Sequence, residues 1–424
     1  MNPPAIVFGG EAIGLQVQRR LARADVPVYG VGGPNGLLRH SRHTRGYASL
    51  GSKFLEADVY ERWLEWLEDG APRGAVLLPC TDEGLQLVVR HRAALEDLGY
   101  VPIEANDDVL GAMLDKERTY ELAAKVGIET PATVTVRTAD ELAAAAAELE
   151  YPCAIKPLHS NLFARHFGDR NKLLVAHNAG QLMEGWTRMN ELGLEVMVTE
   201  IVPGGDDRLL SYCGYLDERG EPLTQFTFRK IRQFPPRFGL GCYVVSDWNP
   251  EVAEAGLRFL RGVGLRGLFH VEFKRDARDD QLKLIECNHR FTIELVFSPR
   301  NLPLLTYNRL LSRPLPSPRP YRAGQWLWNP VEDSRAARSH RRNGELSWSQ
   351  WLRSLFHFQQ FHAFRWDDPL PTIAYHLRKL TNFLARRFRR RRISASEPLL
   401  PKCSITWGTS WLALAQAGEL ALPA

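Results

Sequence analysis

Alternating apolar and polar positions in the middle of the chain predict a pair of neighbouring β-strands. The stretch LIECNHRFT (284–292) places Glu286, Asn288 and Arg290 at every second position. Successive side chains of a strand point to opposite faces, so we expect these three polar groups on one face. An earlier stretch, LFHVEFKRD, alternates in the same way around Glu272, and the charged turn RDARDDQ separates the two. The pattern therefore predicts an antiparallel hairpin.

The predicted hairpin sets two glutamates against each other. If the polar faces coincide, Glu272 and Glu286 are cross-strand neighbours, and like charges directly opposite destabilise a sheet unless a cation lies between them. Mg²⁺ fits such a place because it prefers carboxylate and carbonyl oxygens, and Asn288 offers a third oxygen. Two simpler interpretations remain open. The face is an ordinary solvated strand surface, or one acid faces solvent or pairs with Lys274 or Arg290.

The pattern at the start of the chain predicts a doubly wound α/β unit that is complete by residue 106. AIVFGGEAIGLQVQRRLARADVPVYGV indicates a buried strand, a glycine turn, an amphipathic helix and a second strand. Gly9, Gly10 and Gly14 do not form the G-x-G-x-x-G fingerprint, and no acid closes the second strand. The glycines instead favour a tight turn with close helix packing. The hypothesis that the protein is a dinucleotide-binding oxidoreductase rests on these glycines alone. A later strand, AVLLPCTDE (75–83), ends in polar residues that cap the next helix or face a cleft.

Between residues 107 and 311 the pattern predicts further helices and strands that bear charged side chains. Lys116 begins a helix that ends before a glycine and a nearby proline. Lys156 lies on the short strand AIKP, and Glu200 ends the strand LEVMVTE. The strand TQFTFRKIRQF places Lys230 on the same face as two phenylalanines.

Composition narrows the class of protein. The 424 residues are 44% hydrophobic, which is enough for two or three domains. The six cysteines form no C-x-x-C pair, which argues against a zinc site or a disulfide framework and for reduced thiols. The N-terminus has no basic segment ahead of an apolar run, so we expect no signal peptide and a cytoplasmic location.

The basic charge is concentrated near the C-terminus. Residues 378–392 hold eight basic residues and no acid, so the rest of the chain has a formal charge of −3. This nearly neutral body argues against a nucleic-acid-binding surface. Before this segment, residues 312–372 are rich in proline and tryptophan, with weak periodicity. After it, residues 393–424 are expected to be a disordered tail.

Residues 373–392 predict a basic amphipathic helix. Its apolar residues recur at spacings of four, three, four and four: Ile373, Leu377, Leu380, Leu384 and Phe388. Such a helix fits the surface of an anionic membrane. A helix packed on the domain and followed by a disordered arginine run is an equal alternative.

The order and spacing of the charged positions resemble the ATP-grasp superfamily. Its members include D-alanine–D-alanine ligase, biotin carboxylase and carbamoyl-phosphate synthetase. The phrases FRKIRQFPP, SWSQWL and DDPLP are most similar to D-aspartate ligase-like carboxylate–amine ligases. The resemblance spans about residues 5–390. It implies an α/β ATP-grasp fold, with an N-terminal doubly wound pre-ATP-grasp domain (1–106) and then two α+β subdomains that clamp the nucleotide (107–311).

The resemblance implies that ATP binds between the two subdomains. Lys116 and Lys156 would neutralise the α- and β-phosphates. Glu200, with the backbone of Ile201 and Val202, would hold the adenine and its amino group on a hinge strand.

The resemblance also implies a metal and anion site on the hairpin. Glu272, Glu286 and Asn288 would bind one or two Mg²⁺ or Mn²⁺ ions that bridge the β- and γ-phosphates. Arg290 would hold the γ-phosphate or the substrate carboxylate in the transition state. Lys230 would be a second anion contact, although a surface lysine on an edge strand fits its pattern equally well.

One segment departs from the family. Many members cover the triphosphate with a glycine-rich loop. The corresponding segment here, residues 157–175, has a single glycine, Gly168. Arg165, His166 and Arg170 would replace the backbone contacts with charged side chains, or they belong to a solvated loop.

These features predict an ATP-dependent carboxylate–amine ligase. A small-molecule or precursor carboxylate would become an acyl phosphate, and an amine would then attack it to give an amide, ADP and phosphate. We expect the enzyme in the cytoplasm, with attachment to the inner membrane face through residues 373–392. Two alternatives are a nucleotide-binding protein without turnover and a biotin-carboxylase-like carboxylation, for which no biotin-carrier segment is visible.

Overall fold

The computed structural model describes residues 2–9, 11–51, 59–104, 106–158, 166 and 173–381. The helices are α1 (Glu11–Ala22), α2 (Val59–Asp69), α3 (Asp82–Asp97), α4 (Asp107–Met113), α5 (Lys116–Lys125), α6 (Ala139–Glu148), α7 (Ala179–Glu191), α8 (Pro250–Gly262), α9 (Leu302–Leu310), α10 (Pro330–Arg342), α11 (Trp348–Ser354) and α12 (370–381). Short 3₁₀ helices span Leu37–His40, Asp206–Arg208 and Ile293–Phe297.

The strands of these residues form three sheets. They are β1 (Ala5–Phe8), β2 (Val28–Gly32), β3 (Thr44–Ser49), β4 (Val76–Pro79), β5 (Thr133–Val136), β6 (Cys153–Pro157), β7 (Leu174–Ala176), β8 (Val196–Glu200), β9 (Leu209–Leu216), β10 (Pro222–Phe234), β11 (Leu240–Ser246), β12 (Gly267–Arg275), β13 (Leu282–Asn288), β14 (Trp326–Trp328) and β15 (Gln359–Phe361).

The first sheet is the doubly wound unit that the opening pattern predicts. Its parallel strands lie in the order β3-β2-β1-β4. Phe8 of β1 packs with Trp63 of α2, whereas Val7 packs in the cluster that contains Leu15 of α1, so helices cover both faces. This explains why β1 is buried at every position and is apolar throughout.

The glycines after β1 serve a tight turn and close packing, as predicted. Gly9 has a φ of +62°, a backbone conformation that favours glycine. A Cβ atom added to Gly14 would lie 2.6 Å from the backbone oxygen of Gly9, so α1 approaches the end of β1 closely.

The second sheet is antiparallel, with the order β5-β8-β6-β7. Its apolar face packs against α6 and α7 around Leu142, Ile155 and Leu182. Helix α6 begins with a capping box between Thr138 and Glu141. This sheet contains Lys156 on β6 and Glu200 at the end of β8.

The third sheet has the order β13-β12-β9-β10-β11-β14-β15 and contains the predicted hairpin. One face joins the main core, where Tyr212, Val271 and Phe273 pack near Phe259 of α8. Asn249 caps α8 by accepting from the backbone N–H of Val252, as the Asn-Pro-Glu start predicts. The opposite face bears the polar residues of the candidate site.

Residues 312–372, the proline- and tryptophan-rich extension, complete the third sheet. Strand β14 pairs with β11, and β15 pairs with β14. Each has three residues, which is too short for a recognisable alternation. The weak periodicity of residues 312–372 therefore conceals two strands and two helices, whereas residues 312–323 contain no helix or strand.

The described part of the basic segment is helical, as predicted. Tyr375 of α12 packs against the cluster that includes the first sheet, and Arg378 donates to the backbone oxygen of Asn35 at 2.7 Å. The apolar stripe faces away from this contact and is between 47% and 57% exposed at Leu370, Ile373, Leu377 and Leu380. Residues 382–424, with the rest of the stripe and the predicted disordered tail, lie outside the described residues. None of the described helices is both long enough and apolar enough to span a membrane.

Candidate active site

The hairpin brings the two predicted glutamates face to face. In the register of β12 and β13, Glu272 lies opposite Glu286, and His270 lies opposite Asn288. The cross-strand relationship predicted from the alternation is confirmed. The Glu272 side chain is only 13% exposed, so this is not a solvated strand face.

Lys230 lies against one of these glutamates. Its Nζ atom is 2.7 Å from Oε2 of Glu272, and its side chain is 8% exposed. Burial opposes the charge, but Glu272, followed by Glu286 and Glu294, holds the pKa of Lys230 above its ordinary value. Strand β10 lies inside the sheet between β9 and β11. The alternative of a surface lysine on an edge strand is therefore wrong.

Among the described residues, the two other cations considered for the glutamates have different hydrogen-bond partners. Lys274 donates to the backbone oxygens of Gly204, at 2.9 Å, and Gly205. Arg290 donates through Nε to Asp82. Lys274 therefore ties β12 to the loop after β8.

The amide of the predicted metal set contacts the carboxylate beside it. Nδ2 of Asn288 donates to Oε1 of Glu286 at 2.9 Å. Tyr120 of α5 donates to the backbone oxygen of Ile285 at 3.0 Å, which holds α5 against β13. Burial, followed by the nearby Glu286, raises the pKa of Tyr120. Helix α5 begins at Lys116, one turn before this contact.

Arg290 connects the hairpin to the first sheet. Its partner Asp82 begins α3, directly after the polar end of β4. Burial opposes the charge of Arg290, but Asp82, followed by Glu286 and Glu83, keeps its pKa above the ordinary value. The hydroxyl of Thr81 accepts from the backbone N–H of Gly84 at 3.2 Å. The end of β4 therefore caps a helix, as predicted, and its Asp82 also contacts the hairpin.

Glu200 joins the second sheet to the hairpin turn. It accepts from Nζ of Lys283 at 3.0 Å, from Arg278 and from the backbone N–H of Ala132 at 3.1 Å. Although burial opposes it, hydrogen bonds from Arg278 and Lys283 lower the pKa of Glu200. Sequence patterns did not reveal these two cations, because Arg278 lies in a turn that is merely rich in charge and Lys283 is a single lysine at the start of β13. Ile201 follows in irregular backbone. The role in adenine binding predicted for Glu200, Ile201 and Val202 stays a prediction.

Lys156 lies half-buried on β6, opposite Met197 of β8. It therefore shares the second sheet with Glu200, which ends β8. Its contact with phosphate, like that of Lys116, stays a prediction. The predicted phosphate loop falls largely on residues 159–165 and 167–172, which lie outside the described residues.

Two further polar residues lie close to Lys230. Glu294 is 6% exposed in the 3₁₀ helix after the hairpin, and its charge raises the pKa of Lys230. His270 contacts Oγ of Ser211 through Nε2 at 3.1 Å. Burial lowers the pKa of His270, although Glu294 and Glu272 oppose this. The lone acid in the apolar run FTIELVF was the available signal for Glu294.

Three carboxylates thus favour the charged form of Lys230. Glu272, Glu286 and Glu294 act on Lys230, and His270 is held towards its neutral form. Within the described ranges, no group of three or more His, Cys, Asp or Glu residues has a metal-binding arrangement. The predicted set instead combines two carboxylates with the Asn288 amide, and oxygen donors of this kind fit Mg²⁺.

The cysteines near the hairpin do not provide a nucleophile. Cys287 is 4% exposed on the core side of β13, away from Glu286. Burial raises the pKa of Cys287 and of Cys213 well above the ordinary value, so both thiols stay protonated. This agrees with chemistry that uses positioning and charge.

Curated proteins similar to this chain include a D-aspartate ligase and a carbamoyl phosphate synthase large chain. The D-aspartate ligase of Enterococcus faecium is 25% identical over 224 residues, which cover 51% of this chain and 53% of that protein. The carbamoyl phosphate synthase large chain of Xanthomonas campestris is 25% identical over 266 residues, which cover 59% of this chain and 23% of that protein. The chain thus spans about half, or less, of the length of these relatives. No family model matches the chain.

Solved structures show the same fold. The biotin carboxylase domain of Hydrogenobacter thermophilus 2-oxoglutarate carboxylase, in complex with MgADP, ADP and bicarbonate, superposes with a TM-score of 0.59. The match has 16% sequence identity and covers 77% of this chain and 74% of that chain. The predicted fold class is confirmed.

Proposed function

We propose that this chain, which has the ATP-grasp fold and belongs to the ATP-grasp superfamily, is an ATP-dependent carboxylate–amine ligase. One observation carries the proposal. Glu272 and Glu286 face each other with Lys230 on the same sheet face. A D-aspartate ligase is among the similar proteins, and the biotin carboxylase domain was solved with MgADP.

The hairpin residues fit a magnesium–nucleotide complex. Glu272, Glu286 and Asn288 would hold Mg²⁺, and Lys116 and Lys156 would contact the phosphates. When bound, the metal supplies positive charge that offsets the charge of the β- and γ-phosphates.

The basic residues of the site would bring two anions together. A carboxylate and ATP repel each other, and a carboxylate is a poor electrophile. Lys230, kept charged by Glu272, supplies a buried cation beside the metal set. Arg290, kept charged by Asp82, supplies a second cation, which is half-buried. These fixed charges would orient the carboxylate and stabilise the charge that develops during phosphoryl transfer.

A phosphate-release screen tests this function directly. Candidate carboxylic acids are crossed with candidate amines in the presence of MgATP, and phosphate, ADP and the amide product are measured. We expect phosphate release that requires both an acid and an amine. ATP binding without turnover for any pair would favour a nucleotide-binding protein, and turnover with bicarbonate and biotin alone would favour a carboxylase.

We also propose that α12 attaches the protein to an anionic membrane surface. The stripe Leu370, Ile373, Leu377 and Leu380 is exposed, because Tyr375 and Arg378 on another side of the helix make the contact with the body. The sequence from 378 to 392 adds eight basic residues and no acid. Attraction to anionic lipid is worth about 1 kcal/mol per basic residue near the surface. A second copy of this segment would instead bring like charges together.

Vesicle co-sedimentation tests this attachment. We compare the whole chain, a chain ending before Ile373 and the variant Leu377→Glu, with Leu240→Glu on β11 as a matched control at another exposed leucine. Only the whole chain and the control should bind anionic vesicles. Binding should weaken with salt, because the Debye length falls from ~10 Å at 0.1 M to ~3 Å at 1 M. Equal binding by all four proteins, or binding to neutral vesicles, would contradict the proposal.

A further inference from the structure

Strand β10 contains an irregularity directly after Lys230. In the pairing with β11, Lys230 lies opposite Val244, whereas Arg232 lies opposite Tyr243. Ile231 of β10 is therefore left without a partner at this point, which is the arrangement of a β-bulge, and Cys242 of β11 is skipped directly afterwards, which restores the register at Gln233. Neighbouring residues of β11 point to opposite faces, so Lys230 and Arg232 do so as well. Without the bulge, two residues separated by one would share a face.

Arg232 is held on its own face by a buried ion pair. Its Nε atom lies 2.6 Å from Oδ1 of Asp333 on α10, and its Nη2 atom lies 3.2 Å from Oδ2. The side chains are 6% and 0% exposed. Arg232 also donates through Nη1 to Oγ of Ser354 at 3.0 Å and lies over the ring of Tyr243.

Asp333 receives further donors from the extension. Nε1 of Trp328 and Nε1 of Trp351 donate to its Oδ2 atom at 3.0 and 2.9 Å. The thiol of Cys242 lies 3.8 Å from Oδ1. A carboxylate with these partners is fixed in position, and an arginine paired with it cannot leave without abandoning a buried charge.

We propose that Asp333 is a positioning residue for Lys230. By holding Arg232 on the far face, it maintains the bulge at Ile231 and anchors β10 two residues after Lys230, which keeps the Lys230 side chain against Glu272. The effect of this on catalysis rests on the proposed ligase function. The extension is then part of the support of the active site.

The test separates positioning from simple stability. Asp333→Asn leaves Arg232 buried without its counter-charge, so we expect this variant to have a lower melting temperature or to fail to fold. The double variant Arg232→Met/Asp333→Leu replaces both charges with apolar groups, which buried ion pairs often tolerate. The matched control is Arg19→Met/Asp368→Leu, which removes another buried pair, with 1% exposure of each side chain, between α1 and the extension.

The main readout is the chemical reactivity of Lys230. Reductive methylation with formaldehyde and cyanoborohydride, followed by peptide mass spectrometry, gives its rate in each folded protein. We expect Lys230 to react at least about tenfold faster in the double variant than in the wild type or the control, because it loses the contact with Glu272. With an active acid–amine pair, kcat should fall by a similar factor while the Kd for MgATP changes less than about twofold.

Unchanged methylation of Lys230 in a folded double variant would overturn the proposal. An equal increase in the control variant would also overturn it, because any lost buried pair would then have the same effect. If the wild type turns over no acid–amine pair, the ligase function fails. The methylation rates still decide whether Asp333 positions Lys230.

Discussion

The Lys230 ammonium lies 2.7 Å from the Glu272 carboxylate, although β9 separates their strands in the sheet. The same ammonium is also influenced by Glu286 and Glu294. The negative charge of these carboxylates favours binding of a cation.

Glu286→Gln should abolish acid-dependent ADP formation without unfolding the protein. The variant removes one carboxylate of the predicted metal set and leaves γ-phosphate charge uncompensated. ADP release at limiting Mg²⁺ and the affinity for Mn²⁺ by titration are measured. Glu251→Gln on the surface of α8 is the control and should behave as the wild type. Unchanged turnover of Glu286→Gln would refute the metal assignment.

Lys230→Met should leave the affinity for divalent metal intact but lower turnover. Without the ammonium, Glu272 and Glu286 repel each other more strongly, so divalent metal should bind at least as tightly as before. Turnover should fall by about 10²-fold, because a buried cation of the site is lost. Lys230→Arg keeps the charge and should restore part of the rate. Weaker Mn²⁺ binding by Lys230→Met would show that the lysine supports the metal set instead.

Lys283→Met should weaken nucleotide binding more than it changes turnover. Lys283 donates to Glu200 at 3.0 Å, next to the irregular segment predicted to hold the adenine. We expect the Kd for a non-hydrolysable ATP analogue to rise by about three- to tenfold in calorimetry. Arg275→Met is the control, because Arg275 pairs with Glu251 and not with Glu200. Equal affinities of the two variants would argue against a hinge role of Lys283.

Glu104→Gln should stabilise the protein at alkaline pH. Burial raises the pKa of Glu104 to about 7 from 4.5, and its buried Oε1 atom has no hydrogen-bond partner. The folded state binds this proton more tightly than the unfolded state, so its stabilisation is present in acid and is lost as the pH rises through about 7. Urea unfolding should show a gain of about 2 kcal/mol for the variant at pH 8 and none near pH 4.5. Glu65→Gln, on the surface, should show no such trend, and a pH-independent difference would contradict the assignment.

The strand period revealed the hairpin but not its neighbours. Two-residue alternation and the charged turn between the strands led to the expectation that Glu272 lies opposite Glu286, because alternation fixes which side chains share a face. The contact of Lys230 with Glu272 depends on the insertion of β9 between their strands, and no local pattern encodes that order. Glu294 was not predicted as a site residue, because a short 3₁₀ helix has neither strand nor helix periodicity.

Long-range side-chain contacts were similarly hidden. Arg232 and Asp333 are 101 residues apart, and each looks like a surface charge in the sequence. Helix caps such as Asn249 were predictable, since cap, proline and acid are adjacent in the chain.

The late position of β14 in the chain has a consequence for synthesis. Strand β11 is paired on its outer side by β14, which follows α8, the hairpin and α9 in sequence. As the chain leaves the ribosome, the row of N–H and C=O groups on that side of β11 stays open until residues 326–328 emerge. An open edge is a template for pairing with other chains. In a fragment ending at residue 311 this edge of β11 would stay unpaired, so we expect the fragment to aggregate.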